Sequence, residues 1–353
     1  MDILFLRGDG IGPEISSAAL SILERVNTEE NLRLNIESRD AGLSTLQRLG
    51  KTLPLEVSEA AGKADGIVLA PLSTFQYPPR EKGGINISAE FRTVLNLYAN
   101  IRPCRLRRSY ENKSAIDLII VRENTEGFYA CRTMYAGTGE FMPDPSTAFA
   151  LRKVSAQASR KIAVEAFQLA SARNRELTVV HKANVLKLSD GLFLDIVRET
   201  AKDFPKVKVT ELLVDAVAAL LVRDPSKFDV LLMTNMFGDI LSNEAAELAG
   251  GLGMAPSLNI GVERAMAQAA HGSAPDLAGR NIANPSGLIL SVAMLLEWLS
   301  VRSKRDDLHR AATGMVHAVD KTLGNPANCT ADQGGQLNTF EFAGAVIQNY
   351  LAE

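Results

Sequence analysis

Phe237-Gly238-Asp239-Ile240-Leu241-Ser242-Asn243 carries an aspartate and an asparagine four residues apart, directly after the apolar run Asp229–Thr234. If a helix begins near Gly238, Asp239 and Asn243 share one face of it. Oxygen donors on one face suit Mg²⁺ or Mn²⁺, which take carboxylates and carbonyls and keep several waters. Asp239 fits equally well as an acidic residue favouring a helix N-terminus. Asp215, in Leu213-Val214-Asp215-Ala216, is a charge flanked by apolar residues and needs a partner. Arg92 and Arg102 bracket the stretch Thr93–Ile101, and Arg122 ends a strongly apolar run. Guanidinium groups at such ends can fork onto carboxylates, although each taken singly reads as a solvated or ion-paired surface residue. His181-Lys182-Ala183-Asn184 closes the apolar run Leu177–Val180, where a desolvated lysine could serve as a base or simply leave the core. In His271-Gly272-Ser273-Ala274-Pro275-Asp276, with Asn284-Pro285 following, small residues permit close approach of a ligand, and an aspartate can accept from a ribose hydroxyl.

These groups must be positioned by something, and the chain alternates short apolar runs with helical patterns. Strands are predicted at Ile3–Leu6, Gly66–Ala70, Ile116–Val121, Leu177–His181 and Asp229–Thr234. A helix is predicted over Pro13–Val26, where Ile15, Ala19, Ile22 and Val26 recur at helical spacing and Pro13 suits a first helical residue. Pro285–Leu299 is apolar nearly all round and reads as a buried helix. This alternation is the pattern of an α/β architecture with helices packed on sheets. Four of the five strand runs therefore end in candidate chemistry or in a glycine-rich turn, as ligand sites at the carboxyl ends of α/β sheets require. The turn Arg7-Gly8-Asp9-Gly10-Ile11-Gly12-Pro13 invites a dinucleotide-fold reading, but the fingerprint needs glycine where Pro13 stands. The stretch Cys131–Pro145, rich in Gly, Pro, Thr and Asp, is expected to be a surface loop or an arm reaching a second subunit.

Composition narrows the class. The 353 residues are 46% apolar and 22% charged, with a formal net charge of −3, as for an ordinary soluble globular protein. That balance argues against nucleic acid or an acidic membrane surface as partner, and the basic run Arg102–Arg108 reads as a solvated face or an anion site. Cys104, Cys131 and Cys329 form no paired spacing, so neither a disulfide framework nor a structural zinc site is expected. A reducing, cytoplasmic location fits, with no targeting segment or membrane span expected.

Taken in order, Gly8-Asp9-Gly10-Ile11-Gly12, Val121–Tyr129 (VRENTEGFY), His181–Val185 (HKANV), Gly238–Ser242 (GDILS), His271–Asp276 (HGSAPD) and Asp332-Gln333-Gly334-Gly335 resemble the β-decarboxylating dehydrogenases, the isocitrate, isopropylmalate, homoisocitrate and tartrate dehydrogenase family. The resemblance covers nearly the whole chain. It implies two interleaved α/β lobes with the site in the cleft and a cofactor site that is not a Rossmann fold. It places a cofactor-side domain at residues 1–98 plus 250–353, and a dimerisation and metal-site domain at 99–249 with an arm near 130–150. Arg92, Arg102 and Arg122 match the clamp on the malate carboxylates, with Asn86, Ser88 and Asn184 beside the substrate. Tyr129 matches the proton donor to the enol, and Lys182 the base on the hydroxyl, supplied by the neighbouring subunit. Asp239, Asp215 of the second chain and Asn243 correspond to the Mg²⁺ or Mn²⁺ position. Ile11, Thr74, His271, Gly272, Ser273, Ala274, Asp276 and Asn284 match the NAD site. A homodimer or higher homo-oligomer follows, because the site mixes two chains.

The departures bear on the substrate. Asn86 stands where isocitrate enzymes usually carry serine, and the segment Phe75–Lys82 looks longer than theirs. Asn124-Thr125-Glu126-Gly127 replaces the TGG motif of isopropylmalate enzymes. Gln268-Ala269 replaces a Glu-Pro pair, and Asn243 the second helical aspartate. The expected reaction is metal-dependent, NAD-linked oxidative decarboxylation of a 3-substituted (R)-malate, with isocitrate or homoisocitrate leading. A tartrate- or malate-type substrate, a specialised anionic malate and a non-catalytic regulatory subunit are the alternatives.

Overall fold

The computed structural model describes residues 1–107, 116–129, 134, 137–174 and 176–352. Arg108, Cys131 and part of the Cys131–Pro145 stretch lie outside the described residues. In chain order the strands are β1 (Asp2–Leu6), β2 (Asn35–Arg39), β3 (Gly66–Leu69), β4 (Ala99–Arg105), β5 (Asp117–Glu123), β6 (Glu140–Asp144), β7 (Thr147–Ala150), β8 (Glu176–His181), β9 (Lys208–Leu213), β10 (Val230–Met233), β11 (Leu258–Ile260) and β12 (Ala265–Ala267). The helices are α1 (Gly12–Glu29), α2 (Leu43–Leu49), α3 (Leu55–Lys63), α4 (Ile87–Val94), α5 (Ala156–Ala172), α6 (Ser189–Ala201), α7 (Val214–Arg223), α8 (Asn235–Leu248), α9 (Ser286–Ser303), α10 (Asp306–Leu323) and α11 (Thr339–Leu351).

Ten strands form one sheet in the order β2-β1-β3-β12-β11-β4-β5-β10-β8-β9. The first five in that order come from residues 1–98 and 250–353, the last five from 99–249. Pairing within each outer group is parallel, and β4 and β11 run antiparallel to all their neighbours at the centre. All five predicted strands are present, and their near-continuous apolar runs are what strands covered on both faces require. The other seven strands escaped the pattern for local reasons. β2 and β9 are half-exposed edges carrying charges, β4 interleaves Asn100, Arg102 and Pro103, and β11 and β12 have 3 residues each.

Helix α1 holds Pro13 in its first turn and buries Ile15, Ala19, Ile22 and Val26, the predicted face. Helix α9 is long and apolar enough to cross a membrane, but it is mostly buried, packed on α1, α10 and β12. Residues Glu140–Ala150 form a separate antiparallel pair, β6–β7, in which the Phe141 and Phe149 rings stack with centroids 5.2 Å apart. Both of its faces are open, so this part of the expected loop is an exposed two-stranded arm.

Candidate active site

Strand β5 delivers Arg122 to the carboxyl end of the sheet, opposite Met233 of β10 and Asn100 of β4. Helix α8 starts at Asn235, three residues before the expected Gly238, because β10 ends at Met233 and Thr234 is already the N-cap residue. Asp239 therefore lies in the second turn, which removes the reading of it as an acidic residue favouring the N-terminus. Gly238 is where α8 crosses Arg122: a Cβ there would stand 2.6 Å from Arg122 Cγ. With no side chain in the way, Asp239 comes against the guanidinium.

Arg122 Nη1 donates to Asp239 Oδ1, and Arg102 Nη2 donates to the same oxygen at 3.2 Å. The Tyr129 hydroxyl lies 3.4 Å from Asp239 Oδ2, with the Arg122 guanidinium 5.9 Å from the tyrosine ring centre. Arg102 and Arg122 are only 6% and 2% exposed, which overturns the surface reading of both. Their burial is supported by neutral acceptors. Asn235 Oδ1 takes Arg122 Nε and Nη2 at 3.0 and 2.7 Å, while Asn100 Oδ1 and Ser242 Oγ take Arg102 at 2.5 and 2.6 Å. Burial, followed by repulsion from Arg122, lowers the Arg102 pKa to about 10. Burial pushes Asp239 upward, but Arg122, Arg102 and Arg92 outweigh it and hold the carboxyl below its usual range. Two guanidiniums thus meet one carboxylate, with the charge of Arg92 added to theirs, a balance that favours an anion.

The second group sits further along the same sheet edge. In the parallel β8–β9 ladder His181 is opposite Leu213, so the residues that follow, Lys182 and Asp215, emerge side by side. Lys182 Nζ donates to Asp215, which supplies the partner that aspartate needed. Behind them lies a buried ion pair. Asp190 takes the Lys182 backbone N–H at 2.6 Å and Arg152 at 2.5 Å, and Arg152 continues to Ser189 and Thr234. Sequence reading missed Arg152 and Asp190, whose only signal was charge beside helical and strand termini. Asn184 is exposed on the turn after Lys182. Among the described residues no three His, Cys, Asp or Glu side chains gather as a metal site within one chain.

Other predicted residues are placed differently from one another. Asn86 caps α4, its oxygen accepting from the Ala89 N–H at 3.1 Å, so helix capping fixes the side chain through its oxygen. Ser88 donates to Gln268 Oε1 at 2.8 Å. Asn243 Oδ1 lies 3.4 Å from Arg102 Nη1. Arg92 lies on α4, beyond the loop containing Thr74. That loop is held at both ends: Tyr77 donates to buried Asp9 at 2.5 Å, and Arg80 forks onto Glu90 at 2.9 and 3.1 Å.

The His271–Asp276 loop closes over the turn after β1. Ile11 N–H donates to the Ser273 carbonyl at 2.8 Å, and Ser73 donates to Ser273 Oγ at 2.9 Å. Gly10, at φ +59°, explains the glycine-rich turn, since a Cβ there would stand 2.0 Å from the Ser273 carbonyl oxygen. His271 Nε2 is buried with no hydrogen-bond partner, and burial lowers its pKa, so the ring is neutral near pH 7. Gly272 has open space around it and Asp276 is exposed. Asn284 Nδ2 donates to Asp332 at 2.9 Å.

The family model for isocitrate/isopropylmalate dehydrogenase matches residues 2–346. The chain belongs to the isocitrate/isopropylmalate dehydrogenase family. It is 40% identical over 348 residues to the isocitrate/homoisocitrate dehydrogenase of Thermus thermophilus, covering 98% of this chain and 97% of that one. It is 37% identical over 334 residues to the 3-isopropylmalate dehydrogenase of Saccharolobus solfataricus, covering 94% of each. The crystal structure of isocitrate dehydrogenase from Methylococcus capsulatus superposes with a TM-score of 0.88 at 34% identity, covering 99% of each chain. The family fold, a mixed α/β arrangement around a large, mostly parallel sheet, is therefore that of this chain. Relatives with different substrate names are about equally similar, so likeness alone does not separate isopropylmalate from isocitrate or homoisocitrate.

Proposed function

We propose that this member of the family catalyses the metal-dependent, NAD-linked oxidative decarboxylation of a 3-substituted (R)-malate whose substituent is itself anionic, as in isocitrate or homoisocitrate. The observation that carries it is the charge around Asp239, where Arg102 and Arg122 meet a single carboxylate and the positive charge of Arg92 acts on it as well. Guanidiniums fork onto carboxylates. Three guanidiniums against one carboxylate leave two positive charges, which the two malate carboxylates match, and a divalent cation at Asp239 would add the charge that a third carboxylate needs.

A divalent cation fits the chemistry of the donor set, because Asp239 Oδ1 faces the Arg102 and Arg122 guanidiniums while Oδ2 lies 3.4 Å from the neutral Tyr129 hydroxyl. Asp239 would hold it together with Asp215 of a second chain, and Asn243 offers an amide oxygen one turn further along α8. NAD fits the His271–Asp276 loop, where an orphaned His271 nitrogen awaits a partner and Asp276 is free to accept from a ribose hydroxyl. When bound, the cation would polarise the substrate hydroxyl and its neighbouring carboxylate, and the nicotinamide would accept hydride. Lys182 takes the hydroxyl proton, and its charge then favours the developing enolate. Tyr129 delivers a proton to C3. The clamp arginines orient the carboxylates throughout.

A homodimer with shared sites accounts for two half-sites in one chain. Val185 and Leu188, beside Lys182, and Ile240, beside Asp239, are large apolar residues left exposed, with Leu188 at 89%. The division into residues 1–98 plus 250–353 and 99–249 agrees with the sheet order, with the β4–β11 pair as the seam.

A panel of 3-substituted (R)-malates assayed with Mn²⁺ and either NAD or NADP tests the assignment. Isocitrate or homoisocitrate should give the highest kcat/KM. NAD should exceed NADP by about tenfold or more, since Asp276 would repel a 2′-phosphate. A preference for 3-isopropylmalate would overturn the anionic substituent, and equal use of NADP the role of Asp276.

A further inference from the structure

The sheet has two faces at its seam, and only one of them carries the arginine cluster. Side chains alternate along a strand. Arg102 and Cys104 of β4 and Arg122 of β5 point to the α8 side, while Ile101 and Pro103 of β4, Ile119 of β5 and Ile260 of β11 point the other way. On that second face lies a cavity of about 680 Å³, walled by α5 on one side and by α9 and α10 on the other. Its volume falls within the range of small-molecule sites, roughly 300–1,000 Å³. Its walls come from both halves of the sheet order, α5 from one and α9 and α10 from the other.

The floor and most of the walls are apolar, with Leu169, Met294, Trp298 and Val316 among them. The polar groups are mostly engaged. Glu165 accepts from the Tyr98 hydroxyl at 3.4 Å, His309 and Glu297 pair at 2.6 Å, and Arg105 lies 3.5 Å from Asp320. Arg302 differs. Its guanidinium lies over the Trp298 ring at 4.7 Å, and it forms no salt bridge among the described residues. An apolar chamber with one uncommitted, aromatic-supported guanidinium at its rim selects a ligand with a flat or branched apolar body and one anionic group.

We infer that this back cavity is a binding site for a small amphipathic carboxylate, its apolar body on Met294, Leu169 and Val316 and its carboxylate on Arg302. The site is separate from the cluster around Asp239, with the sheet between them. It does not depend on the substrate proposed above.

Trp298 is the single tryptophan of the chain, so its fluorescence reports the cavity directly. Titrating biphenyl-4-carboxylate into the full-length protein should give a saturable change in that fluorescence and a rise in Tm. Arg302 is exposed, so Arg302→Gln should fold normally. It should weaken carboxylate binding about tenfold, as for one charge-assisted hydrogen bond, and leave the uncharged analogue biphenyl-4-methanol within about twofold. Thr313→Phe, on the exposed part of α10, should project a ring into the site and weaken binding of both. Absence of saturable binding, or equal loss of acid and alcohol in Arg302→Gln, would overturn the assignment. So would self-association of the wild type that is lost in Val301→Asp, since it would give the cavity to a second copy.

Discussion

Asn243 carries the sharpest question at the residue scale. Hard divalent cations favour carboxylates over neutral amides, so Asn243→Asp should tighten Mg²⁺ or Mn²⁺ binding in the absence of substrate. The structure supplies the competing role, because Asn243 Oδ1 already faces Arg102 at 3.4 Å. If orienting Arg102 is its whole task, the new charge would bind the guanidinium and leave cation affinity unchanged or weaker. Titration of metal into both apo-proteins decides between them. His271 supports a second prediction. Burial holds its pKa below the ordinary value near 6.5, so the unfolded chain takes up a proton that the folded one refuses. Stability then falls as pH drops below about 6.5, with a limiting slope of about 1.4 kcal/mol per pH unit. His271→Asn should flatten that slope, as measured by denaturant midpoints between pH 5 and 7.5; an unchanged slope would remove His271 as its source.

At the scale of elements, the turn that carries Lys182 is held from behind. Asp190, at the start of α6, receives the Lys182 backbone N–H and pairs with the Arg152 guanidinium; Asp190 is fully buried and the Arg152 side chain is 9% exposed. Asp190→Ala strands a buried guanidinium, and such losses cost about 3–5 kcal/mol. The fall should appear in urea denaturation, with Asp190→Asn intermediate because the amide oxygen still accepts. A loss under about 1 kcal/mol would mean that water reaches Arg152 and the pair is dispensable.

The molecule as a whole presents two half-sites, Tyr129 with Asp239 and Lys182 with Asp215. If each complete site joins halves from two chains, Lys182→Met and Tyr129→Phe should both be nearly inactive alone. A mixture refolded as hybrid dimers should recover about a quarter to a half of wild-type activity, since one of the two sites then carries neither substitution. No recovery in a hybrid shown to form would place the whole site within one chain. The two variants should also fail differently: Lys182→Met in the oxidation itself, Tyr129→Phe in the final protonation.

The chain's own residue order determined the α/β class, the buried helix α9 and the places of Arg122 and Lys182 at strand ends. Apolar runs covered on two faces and helical periodicity are local signals, readable without coordinates. Tertiary structure alone decided what those residues touch. That Arg102 and Arg122 are buried depends on Asn235 and Ser242 arriving together on α8, more than a hundred residues away, to join Asn100 of β4. Asn86 became a helix cap because α4 starts beside it, and Lys182 met Asp215 because the β8–β9 register left them level. The β4–β11 seam and the cavity behind it involve strands too short or too polar to show in the sequence. Pairing across large sequence separation is set by the packing of whole layers, and no single stretch of residues encodes it.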